Sequence, residues 1–259
     1  MSMSLSAMTP SAEQEPLWPK FAESGKLSGE LSRDGSKFVT DEVFNAASHL
    51  VGCMLSILGT AVLITHASAK ANPWAIVAYA IYGFSLILLF GASFLHHGIS
   101  GSETLNRALR GLDYVAIYFL IAGTATPLCL ICLHQTWVGW VFFGCCWGLA
   151  VFGVTMQVSC HPDAPIALPK WASMTCYVTL GWFGAFLAIP AYSCIKLGGA
   201  MLFLAGGLAY TGGGVIFTNE FPNLIPGTFG FHELWHCFVL AGAALHWLMM
   251  FYYVLPVTS

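Results

Sequence analysis

Residues 73–97 read PWAIVAYAIYGFSLILLFGASFLHH, a run with no Asp, Glu, Lys or Arg at any position. A helix rises about 1.5 Å per residue, so a stretch of this length crosses a hydrocarbon core about 30 Å thick. Helix is the expected state because lipid offers no partner to backbone N–H and C=O groups, which must pair within the segment. Six more apolar runs follow the same pattern, at residues 43–67, 112–133, 136–158, 171–192, 196–217 and 232–255. Pro127, Pro190, Gly206 and Gly207 fall inside them. Gly and Pro are common in membrane helices, and small residues let helices approach closely. The expected fold class is all-α: an integral membrane bundle of seven transmembrane helices.

Composition agrees with that reading. Only 8% of the residues are charged and 57% are hydrophobic, against about 25% charged in a soluble domain. Nine Lys and Arg against twelve Asp and Glu exclude a basic nucleic-acid binder. Residues 1–40 are different, being rich in Ser, Glu, Lys and Pro. They hold too little apolar surface to offset the entropy of ordering, which predicts a disordered tail. Residues 41–259 then form a single membrane domain.

The loops set the orientation. With seven spans, Lys20, Lys26, Arg33, Lys37, Arg107, Arg110 and Lys170 share one side, and only Lys70 and Lys196 lie on the other. Positive charge marks the cytoplasmic face, which predicts a cytoplasmic N-terminus and an outside C-terminus in a multi-pass protein, most simply of the plasma membrane.

Ionisable residues within spans are costly and therefore functional candidates. Glu42 opens the first run, Asp113 the third and Glu233 the seventh; His96 and His97 close the second, and His232 and His236 open the seventh. An even number of crossings separates these ends, so His97, Asp113, His232 and His236 share a leaflet. His232 and His236 are four apart and project from one helical face. That spacing suits two imidazoles on one metal ion. His97 would supply a third, giving a zinc site of the catalytic type, with three protein ligands and an open position. Ser93 and His97 repeat the four-residue step, and Glu42, Asn45 and His49 form a one-sided stripe on the first helix.

Plainer readings stand beside these. Asp113 could pair with Arg110 or Arg107 near the headgroups. Glu42, Asn45 and His49 could be ordinary interhelical hydrogen-bond partners. Glu233 reads as a partner of the positive helix N-terminus. His66, His134, His161 and His246 have no partner at useful spacing and read as structural. Cys129 with Cys132, and Cys145 with Cys146, lie in apolar runs, where cysteine behaves as a small hydrophobe. No Walker loop, nucleophile elbow or dinucleotide fingerprint occurs.

Four stretches together resemble the hemolysin III branch of the progestin and adiponectin receptor superfamily. They are Glu42-Val-Phe-Asn45-Ala-Ala-Ser-His49, Ser93-Phe-Leu-His-His97, the run from Leu112-Asp113-Tyr to Thr-Ala-Thr-Pro127, and His232-Glu-Leu-Trp-His236-Cys-Phe-Val-Leu-Ala-Gly. A Gly227-Thr-Phe-Gly-Phe run precedes the last. The resemblance spans residues 41 to 255. It implies a seven-helix fold with a cytoplasmic N-terminus and zinc held by His97, His232 and His236. It also makes Asp113 the acid beside the metal and Ser93 the serine of the second-helix motif. His96 stands where that branch often has an aromatic residue, and it could compete with His97 as ligand.

The resemblance further implies a zinc-dependent hydrolase of a membrane lipid amide, ceramidase-like, with Asp113 and Ser93 as candidate catalytic groups and Glu42, Asn45 and His49 in support. Membrane lipids are the expected partners. Two other readings remain: a ligand-sensing membrane receptor and a pore-forming, hemolysin-like protein. A pore predicts polar faces through the full membrane thickness, whereas the polar residues here stop in one leaflet.

Overall fold

The computed structural model describes residues 41–159, 169–225 and 228–258. The expected tail at residues 1–40, His161 and Gly227 lie outside these.

Seven α-helices form among the described residues. Helix α1 spans Glu42–Ala69, and its first N–H groups are capped by Asp41, whose carboxylate accepts from Val43 and Phe44 at 3.0 Å each. Helix α2 spans Pro73–Gly98, with Asn72 as its cap and Pro73 in the first turn, where a missing N–H costs nothing. Helix α3 spans Glu103–Pro127 and runs on as a π-helical turn, Leu128–Cys132. Helix α4 is Trp137–Ser159, α5 Lys170–Ala185, α6 Tyr192–Asn219 and α7 Phe231–Met249. A π turn, Met250–Val254, extends α7.

Six of the seven are long and apolar enough to cross a membrane. The exception is α5, whose 16 residues fall short of the expected run at 171–192. Pro190 has no N–H to continue the helical ladder. The chain instead tightens into a 3₁₀ turn, Phe186–Ala188, with the Ile189 N–H donating to the Phe186 carbonyl at 3.1 Å. Helix α3 departs in the other direction and begins nine residues before the apolar run. Its first two turns carry Glu103, Arg107 and Arg110 behind a Ser102 cap.

Each helix packs on its neighbours in sequence, and α7 also packs against α1, closing the bundle into a ring. Large apolar side chains point outward from α1 and α4, among them Met54, Leu55, Val151 and Phe152. Tyr79, Tyr82, Tyr118, Phe90 and Phe231 fill the interior. Close approach of α1 depends on Gly52, where an added Cβ would sit 2.7 Å from Phe90 and 2.8 Å from Leu240.

One cysteine reading changes. Cys132 is no lone hydrophobe but is joined to Cys194 by a disulfide, with Cα atoms 5.8 Å apart. The bond ties the end of α3 to the start of α6, at the end of the bundle opposite the starts of α3 and α7. Cys129 remains a free, buried thiol.

Candidate metal centre

The last turn of α2 and the first two turns of α7 meet inside the ring. One ring nitrogen from each of His97, His232 and His236 falls within 4.8 Å of the others, and all three residues are buried. Tetrahedral ligands at zinc–nitrogen distances of about 2.0–2.1 Å are roughly 3.4 Å apart, a separation inside that limit. His97, not His96, gathers with the pair from α7.

Helix α1 fixes which nitrogens are offered. The Nδ1–H of His97 donates to Glu42 Oε2 at 2.5 Å, which leaves Nε2 and its lone pair for the cluster. Ser48 acts on His236 in the same sense. Its hydroxyl donates to the Asn45 carbonyl at 3.0 Å, so its oxygen, 3.3 Å from His236 Nδ1, is free to accept from that nitrogen. Outer partners of this kind set tautomer and ring orientation in metal sites. Sequence reasoning missed Ser48, because a serine in a membrane helix usually bonds its own backbone and gives no further signal.

Glu233 does more than face a helix end. Its carboxylate accepts from the Gly230 N–H at 2.8 Å, the Asp41 N–H at 2.7 Å and Asn45 Nδ2 at 3.1 Å. It caps α7 and ties that helix to α1. Glu42 and Asn45 thus each make a hydrogen bond from α1 to another helix. Among the described residues neither ring nitrogen of His49 has a hydrogen-bond partner. Its ring instead stacks on His236, with centroids 3.7 Å apart and planes at 20°.

Asp113 and Ser93 face the same space. Both line a cavity of about 670 Å³ that also reaches His49, His96, His232 and His236. A carboxylate oxygen of Asp113 and one nitrogen each from His96 and His97 lie within 4.8 Å of one another. Among the described residues no ion pair joins Asp113 to Arg107 or Arg110, so the headgroup-pairing reading finds no support. Away from the polar end, Leu89, Ile117, Leu120, Ile121, Val178 and Val239 make the walls apolar. Arg107, Arg110 and Lys170 line the cavity as well, and Lys170 also bonds Glu220 at 2.9 Å.

The remaining described histidines bond backbone carbonyls: His66 that of Val62 at 3.0 Å, His134 that of Ile131 at 3.3 Å, and His246 that of Phe203 at 3.0 Å. None of the three joins the ligand groups formed by His96, His97, Asp113, His232 and His236, although His246 lines the same cavity.

Comparison with known proteins places this arrangement in context. A family model described as "Haemolysin-III related" matches residues 38–247. "Hemolysin-3" of Bacillus cereus is 36% identical over 226 residues, covering 86% of this chain and 96% of that protein. "Hemolysin-3 homolog" of Bacillus subtilis (strain 168) is 32% identical over 218 residues, covering 83% and 96%. More distantly, "Adiponectin receptor protein" of Drosophila melanogaster is 25% identical over 228 residues, covering 81% of this chain and 50% of that protein.

Proposed function

The chain belongs to the haemolysin-III related family, the hemolysin III branch of the progestin and adiponectin receptor superfamily, and from that premise we propose that this multi-pass membrane protein is a zinc-dependent hydrolase of membrane lipid amides. The observation that carries the reading is the buried His97, His232 and His236 triad, two of whose members, His232 and His236, line a cavity with long apolar walls. Three imidazoles and an open side facing a cavity suit zinc of the catalytic rather than the structural type.

A zinc ion there would polarise an acyl carbonyl and lower the pKa of a water. The residues of the chain supply the rest. Glu42 and Ser48 hold His97 and His236 in the tautomer that presents Nε2. Asp113 takes a proton from water at the polar end and can return it to the leaving amine. Ser93, buried one turn before His97 on α2, presents a hydroxyl to the same space. The apolar walls accept an acyl chain and keep bulk water from the reacting groups. They suit a lipid tail better than an ion path, which favours hydrolysis over a pore. Supporting roles for Asn45 and His49 follow from their contacts with Glu233 and His236.

In this proposal α5 and its 3₁₀ extension serve as the seventh, shorter span, so the termini lie on opposite sides. Two features support a cytoplasmic N-terminus. One is the distribution of Lys and Arg; the other is the Cys132–Cys194 disulfide at the end away from the histidines, since disulfides persist in oxidising compartments. The family also includes a protein named as a receptor, and a ligand-sensing role predicts binding without turnover. Incubating purified protein with ceramide and related lipid amides, and measuring fatty-acid release, tests the proposal. Metal-dependent release is expected, and its absence across the series with zinc bound would leave the receptor reading.

A further inference from the structure

We infer that His96 and Asp113 form a second metal position beside the first, one that takes a divalent transition-metal ion and, when filled, withdraws Asp113 from proton transfer. The inference rests on the reading of His97, His232 and His236 as the first site.

Ligand atoms of His96, His97 and Asp113 lie within 4.8 Å of one another. This set shares only His97 with the first triad. His97 cannot serve two ions, because Glu42 holds its Nδ1 at 2.5 Å and one nitrogen remains. With that nitrogen committed to the first site, His96 and Asp113 are the second position's own ligands. Successive helical residues point about 100° apart, so His96 addresses the Asp113 side of the cluster while His97 addresses α7. Both His96 and Asp113 line the cavity, which leaves the other coordination positions open to its contents. His96 is only 4% exposed.

The chemistry follows from the ligand set. An imidazole and a carboxylate suit zinc, cobalt(II) or manganese(II). Two protein ligands bind more weakly than three, so the second position fills only when metal is in excess. A carboxylate whose lone pairs coordinate an ion cannot accept a proton. Excess metal therefore lowers turnover while the first ion stays in place, and the second position works as a metal-sensitive brake.

The full chain, purified in lipid nanodiscs, is dialysed against increasing zinc and, separately, cobalt(II), and the ions bound per chain are measured by elemental analysis. The expected result for the wild type is one ion at limiting metal and a second at saturation. His96→Phe restores an apolar ring and is expected to bind one ion fewer at saturation while keeping the tight one. Asp113→Asn, whose neutral amide is a poor ligand, is expected to do the same, so either variant decides should the other fail to fold. Saturation of the wild type at a single ion, or two ions retained by both folded variants, overturns the second position and leaves the first intact. A wild type that binds no metal overturns the reading of the first site as well.

Discussion

Glu42 Oε2 and His97 Nδ1 are 2.5 Å apart, a contact between the first turn of α1 and the last turn of α2. It joins residues 55 positions apart and decides which nitrogen of His97 faces His232 and His236. The candidate metal centre therefore depends on a helix that contributes none of its three imidazoles.

That dependence gives the first expectation. Glu42→Gln keeps the shape of the side chain but removes the charge that fixes His97. Loss of such an outer partner typically weakens metal affinity roughly 10–100-fold. Competition against a zinc chelator should show a drop in that range with the melting temperature little changed. Unaltered affinity would mean that the orientation of His97 is set elsewhere.

His232→Ala combined with His236→Ala removes two of the three triad nitrogens. Elemental analysis of the purified wild type without added metal should show about one zinc per chain, consistent with three-ligand sites of this type, and the double variant should show none. Retention of zinc by the double variant would remove α7 from the site.

The disulfide offers a chemical test of orientation. In protein from intact cells, Cys132 and Cys194 should resist alkylation until a reductant is added, and a membrane-impermeant reductant applied outside should suffice. A reporter placed after Ser259 should likewise face outside, with the N-terminus inside. Both termini on one side would contradict a seven-span path.

Much of this was legible in the sequence, and the gaps have physical causes. The apolar runs marked the helices because lipid forces each span to satisfy its own backbone. Helix α3 starts at Glu103 rather than near residue 112 because hydropathy sees the lipid-facing portion and passes over capped, charged turns. Helix α5 stops early because Pro190 withholds a donor, which apolarity does not register. The gathering of His97 with His232 and His236 followed from spacing and from an even number of crossings. The stacking of His49 on His236 and the contact of Ser48 with His236 depend on how α1 is rotated against α7, and no spacing rule carries that. The Cys132–Cys194 bond joins positions 62 apart, and its pairing needed the bundle.

The most direct test of the proposed chemistry is one preparation of Asp113→Asn, assayed for zinc content, melting temperature and lipid-amide hydrolysis together. Asp113 lies within 4.8 Å, atom to atom, of His97 and has no ion pair with Arg107 or Arg110 among the described residues. The substitution keeps its size and removes its basicity. Zinc bound without added metal and thermal stability should stay near wild type, while hydrolysis falls by roughly 10²–10⁴-fold, as expected for a lost general base. Full hydrolysis with lowered stability would contradict the account and return Asp113 to a structural role.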